Sequence, residues 1–163
     1  MTWFEGIGIA RTHIPEWEIA LRVLMAALFA AAIGFERELK ARAAGLRTHM
    51  LTALGAALFT VITFEIFYEV RTIEGGGNVD PIRIIEAVTA GVSFLAAGTI
   101  IHGRGQIQGL TTGAGIWIAG AIGVACGSGY YVIAFFGVLL ALIIIVLLRW
   151  VERHALDTKP GPD

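Results

Sequence analysis

LTTGAGIWIAGAIGVACGSGYYVIAFFGVLLALIIIVLL, residues 110–148, is a run of 39 positions without a single Asp, Glu, Lys or Arg. As one straight helix it would extend about 58 Å, nearly twice the roughly 30 Å hydrocarbon core of a bilayer. Gly127, Ser128 and Gly129 fall near its middle and divide it into two spans of workable length. A tight helical hairpin within a membrane is the reading, and it decides the class of the chain. The composition agrees: of 163 residues 56% are hydrophobic and 15% charged, with mean hydropathy +0.76. A water-soluble domain of this size carries closer to a quarter charged residues.

The same ruler, about 20 helical residues per crossing, predicts five spans at 17–35, 50–68, 84–101, 110–126 and 130–148. The expected fold is all-α: a polytopic transmembrane bundle over 1–150 with a short polar cytoplasmic tail at 151–163. Basic residues set its orientation, because positively charged loops resist translocation. Arg37, Lys40, Arg42, Arg47, Arg104, Arg149, Arg153 and Lys159 fall on one side. Only Arg11, before the first span, and Arg71 and Arg83, around a Gly75, Gly76, Gly77 turn, fall on the other, which gives an N-out, C-in chain. Trp17, Tyr68, Tyr130, Tyr131 and Trp150 sit near span ends, where amphipathic rings favour the interface. The first 16 residues have neither the basic start nor the long apolar run of a signal peptide, so the N-terminus is expected to be retained.

Overall charge excludes other classes. Twelve Lys and Arg against 13 Asp and Glu leave no basic field for nucleic acid. The one cysteine, Cys126, excludes an internal disulfide or a CxxC site. No nucleophile with an evident base appears, so neither enzymatic activity nor a cofactor is expected. Gly103, Gly105 and Gly109 lack the lysine and the spacing of a phosphate loop. Small residues recur every fourth position at Ala26, Ala30, Gly34 and at Ala119, Gly123, Gly127. Such stripes let helix backbones approach in lipid, either within one chain or between two copies.

Polar residues then mark two levels. At the inner ends of the spans gather Glu36, Arg37, Arg47, Thr48, Thr111 and Thr112, where Arg47 is placed to pair with Glu36 and a threonine to cap the fourth helix. They form a candidate partner or ligand cluster, although snorkelling, capping and the orientation rule account for the same residues. Arg37, Lys40 and Arg42 also suit anionic lipid. Near the outer ends, Arg22, Glu65 and Glu86 lie within the spans, roughly 3–8 Å from the boundary, and are expected to form one polar layer. That layer suits either structural pairing or a proton or cation site. Asp80 before Pro81 reads as a helix cap. With Glu86 it offers at most a weak oxygen site for a hard metal ion. His49 and His102 have no companion at ligand spacing and read as interface residues.

Three stretches carry more than hydrophobicity: GFERELKARAAGLRTHML from Gly34, DPIRIIEAVTAGVSFLAAGTI from Asp80, and GLTTGAGIWIAGAIGVACGSGYY from Gly109. Together they resemble the MgtC/SapB family over about residues 17–150. That family pairs Gly-x-Glu-Arg at the end of the first span with Ala-Gly-Leu-Arg-Thr opening the second and Gly-Leu-Thr-Thr opening the fourth. GVSFLAAG stands where the family more often has GIGFLGAG, placing Ser93 and Ala97 at usual glycine positions. The resemblance to the family's Asp-Pro-x-Arg pattern singles out Asp80 and Arg83 on the outer side. It implies a multi-pass protein of the bacterial inner membrane, linked to growth in low magnesium and, in some members, to virulence. It further implies regulation through a membrane-protein partner. Lipids and further copies of the chain are additional expected contacts, and a channel or transporter for magnesium or protons is the alternative. Because the sequence stops soon after Trp150, the soluble C-terminal domain of longer members is expected to be absent.

Overall fold

The computed structural model describes residues 11–73, 80–103 and 106–151, with the side chains of 101–106 left aside. The Gly75, Gly76, Gly77 turn, Arg104, residues 1–10 and the tail from 152 lie outside the described residues. The elements are α1 (Glu16–Leu39), α2 (Leu46–Thr72), α3 (Arg83–Gly98), β1 (Ile101–Gly103), β2 (Gln106–Gln108), α4 (Leu110–Gly127) and α5 (Tyr131–Ile143). A π-helical turn, Ile144–Leu148, prolongs α5. Among the described residues, four helices are long and apolar enough to cross a membrane: α1, α2, α4 and the continuous Tyr131–Val151 segment.

The fourth helix is the hub, and its small residues are the reason. A Cβ at Gly123 would run into the Ala53 carbonyl oxygen and lie 2.7 Å from the Ala56 Cβ. At Gly127 it would lie 2.7 Å from the Ala57 oxygen, at Gly120 2.8 Å from the Val92 side chain, and at Gly115 2.9 Å from His49 Nε2. Dispersion gains replace the hydrophobic drive that lipid does not supply, so close backbone approach is what holds such a bundle. The stripes at Ala26, Ala30, Gly34 and at Ala119, Gly123, Gly127 are both buried inside this one chain. Ala26, Ala30, Ile33, Ala53, Ala57, Ala119, Ile122 and Cys126 form the shared core of α1, α2, α4 and α5.

These contacts fix the directions of the helices. Positions 49, 53 and 57 of α2 meet 115, 123 and 127 of α4, so the two helices run parallel. The chain must return between them, and α3 makes that return: Val92 meets Gly120 and Ala96 meets Gly113 in antiparallel order. Among the described residues five helical segments thus alternate in direction, although the third is only 16 residues, about 24 Å. The expected third span, 84–101, is shortened for a local reason. Thr99 N–H and hydroxyl both donate to the Ala96 carbonyl and close the helix, and β1 then pairs antiparallel with β2. Gly109 follows at φ +87°, where a Cβ would run into the Thr99 carbonyl oxygen.

The break in the 110–148 run falls where the glycines place it. Gly129 has φ +83°, with Gly129 N–H on Cys126 O and Tyr130 N–H on Ala125 O, both near 2.9 Å or below. This is the Schellman closure of a helix whose last carbonyls need donors.

Candidate functional site

Two polar levels flank the apolar core. At the level where α1 ends and α2 and α4 begin, Arg37 is 1% exposed and its Nε donates to Glu36 Oε2 at 2.6 Å. Glu36 Oε1 also faces Arg149 Nη1 at 3.9 Å, which ties the far end of α5 to α1. Glu36 is therefore committed to Arg37 and Arg149, and the expected pairing with Arg47 is replaced: Arg47 and Thr48 stand exposed on the first turn of α2. A sequence neighbour and a residue more than a hundred positions away claim the carboxylate first.

The amino end of α2 is capped by Glu38, whose Oε2 accepts from Leu46 N–H at 3.0 Å. A carboxylate there answers both an orphan amide and the positive end of the helix dipole. Threonine capping of α4 does not occur. Gly109 is its N-cap without a side-chain bond, while Thr111 is exposed and Thr112 buried within the first turn. The αL backbone at Gly109 turns the chain into the helix without a side chain.

His49 departs from its expected interface position and is fully buried. Its Nδ1 lies 2.9 Å from the Gly45 carbonyl, which can only accept, so Nδ1 carries the proton and Nε2 presents a lone pair toward Gly115. The side chain of His102 lies outside the described residues.

At the opposite level the expected Arg22, Glu65, Glu86 layer comes apart. Arg22 Nη2 donates to Glu18 Oε1 at 2.6 Å, and Nη1 donates to the Gly127 carbonyl at 2.8 Å. A cation thus caps the carboxyl end of α4 and pins the α4–α5 turn to α1. Glu65 instead accepts the backbone N–H groups of His13 and Ile14 at 2.6 and 2.8 Å, anchoring the segment ahead of α1. Glu86 is exposed on α3 and meets neither. Both separations follow from closer partners: Glu18 sits one turn before Arg22 on the same helix face, and backbone donors at 13 and 14 reach Glu65.

Asp80 does not take the expected N-cap position, which falls to Ile82; its Oδ1 instead accepts Ile82 N–H at 2.9 Å in the turn ahead of α3, which Arg83 opens. With that carboxylate engaged and Glu86 exposed, the two do not converge on a metal site. Among the described residues, no three His, Cys, Asp or Glu side chains gather to hold an ion.

Sequence reasoning passed over Glu18 and Glu38, used Arg149 only for orientation and placed His49 at the interface. Glu18 was visible as an i, i+4 partner of Arg22. Glu38, eight residues before Leu46, and Arg149 have no such local signal.

The family model described as "MgtC family" matches residues 23–154. "Putative magnesium transporter YhiD" of Escherichia coli (strain K12) is 40% identical over 78% of this chain and 59% of that protein. "Protein SapB" of Bacillus subtilis (strain 168) is 35% identical over 90% of this chain and 61% of its own length. "Protein MgtC" of Brucella abortus (strain 2308) is 38% identical over 63% of this chain and 39% of its own length. The chain thus spans about three-fifths of the first two and less of the third. No solved structure matches it. With a family model covering most of the sequence and the Glu36–Arg37, Asp80–Arg83 and Thr111–Thr112 motifs at the ends of one helical membrane bundle, the chain belongs to the MgtC family.

Proposed function

We infer that this chain is a regulator of the bacterial inner membrane, N-out and C-in, that works by binding a membrane-protein partner during adaptation to low magnesium. It performs no enzymatic chemistry of its own. One observation carries this reading: between the Arg22 and Arg37 levels the bundle centre is packed with Ala26, Ala30, Ala53, Ala57 and Ala119 at zero exposure. Ion pathways require polar side chains or water at that depth. The polar chemistry lies instead at the two ends, and the inner end offers Arg47, Thr48 and Thr111 to a partner from a base fixed by Arg37, Glu36 and Thr112.

The rival reading comes from the transporter name of the Escherichia coli relative. Two measurements separate them. Proteoliposomes containing the chain are expected to pass no more magnesium than empty vesicles. In cells lacking the gene, the wild-type chain restores growth in low magnesium, and Thr111→Arg, which alters an exposed position, fails to do so while accumulating normally. Magnesium flux that disappears in Glu86→Gln would establish transport and overturn the regulator.

A further inference from the structure

Between the second and third helices, on one side of the bundle, lies an apolar crevice of about 360 Å³. Leu51, Gly55 and Phe59 form one wall, and Ile84, Gly91 and Leu95 form the other. A Cβ added at Gly55 or Gly91 meets nothing within 4 Å, so the two glycines open the crevice rather than tighten a helix contact. Its floor is Ala56, Val88 and Val92, which belong to the core cluster between α2, α3 and α4.

Length identifies the occupant. The crevice borders most of the short α3, from Leu95 to Ile84, but along α2 it runs only from Leu51 to Phe59, eight residues and about 12 Å, between the amino end and the midpoint of that 27-residue helix and within the depth of one leaflet. A helix of a second copy would need a groove along the whole core. A single acyl chain needs this much and no more.

Charge identifies its headgroup. Arg47, Leu51 and Gly55 are spaced by four and lie on one face of α2, so exposed Arg47 stands one turn below the crevice, at the membrane surface. Its side chain leans toward the amino end of its helix, away from the apolar wall. Around that end, Arg37, Lys40, Arg42, Arg47 and Arg149 outnumber Glu36 and Glu38. We propose that the α2–α3 crevice is a binding site for an anionic phospholipid of the inner leaflet, with one acyl chain between Gly55 and Gly91 and the phosphate on Arg47. The bound lipid completes the thin α2–α3 contact. The site shares Arg47 with the partner face and takes its leaflet from the orientation proposed above, but it excludes Thr111, so the crevice is read in Gly55→Leu and Gly91→Leu and the regulatory reading in Thr111→Arg.

The test is native mass spectrometry of the whole chain released from nanodiscs of equal phosphatidylglycerol and phosphatidylcholine. The wild type is expected to retain one lipid, phosphatidylglycerol over phosphatidylcholine by about fivefold, the effect of one arginine at a membrane surface. Gly91→Leu and Gly55→Leu fill open space and lose the retained lipid, with helicity and elution volume unchanged. Arg47→Gln, an exposed change, keeps a lipid but brings the ratio near one. Phosphatidylglycerol retained by both leucine variants, or a preference that survives Arg47→Gln, would overturn the proposal. So would disulfide crosslinking between copies through Leu51→Cys and Leu95→Cys in phosphatidylglycerol vesicles, which would give the crevice to a second copy.

Discussion

Gly123→Leu is expected to abolish the folded bundle. At this position the space for a Cβ is already taken by the Ala53 carbonyl oxygen, the Ala53 Cα and the Ala56 Cβ. Two of those three atoms are backbone, so the clash is relieved only by pushing α2 and α4 apart along their length. Overpacking of this kind costs about 3 kcal/mol or more, and separating the hub helix also loosens its contacts with α1 and α3. Gly137→Leu on α5 is the matched control, since a Cβ there meets nothing within 4 Å. It is expected to change stability by less than about 0.5 kcal/mol. Unfolding from mild detergent into SDS, followed by circular dichroism, measures both. Equal midpoints for Gly123→Leu and wild type would show that α2 and α4 do not meet at this position.

The second large effect is at Arg37. Arg37 is 1% exposed and its guanidinium forms the close contact to Glu36, whose other oxygen faces Arg149 at 3.9 Å. Arg37→Ala leaves a carboxylate with 14% side-chain exposure facing a distant cation, and removing one partner of such a pair costs about 3 kcal/mol. Glu36→Gln combined with Arg37→Met removes both charges and keeps the volume, and it is expected to recover most of that loss. The same unfolding titration reads it. A double variant as unstable as Arg37→Ala would mean that Arg37 acts by packing rather than by neutralising Glu36.

Much of this architecture was legible in the sequence because the membrane imposes a length. The run at 110–148 exceeds one crossing, and the glycines at 127 and 129 mark the turn that the Schellman bonds then close. The early end of α3 was not legible, since three-residue strands such as IHG and QIQ carry no periodic pattern. Polar pairing was the least legible. Arg22 to Gly127 O spans 105 residues and Glu65 to His13 N spans 52, and no spacing rule reaches that far. The burial of His49 depends on Gly34 of α1 and Gly115 of α4 each closing on it from a different helix, which appears only once the helices are aligned. Helix-end motifs were thus found by position, while their partners were set by the packing of α4.

Everything placed on the inner or outer level depends on α3 carrying the chain back across the bilayer between two parallel helices. Labelling of single cysteines in a Cys126→Ser background, with a membrane-impermeant maleimide on intact spheroplasts, tests this directly at exposed Ile73, just after α2, and Ile107, just before α4. Ile73→Cys is expected to react from outside and Ile107→Cys only after lysis. Reaction of both from the same side would contradict the five-pass bundle.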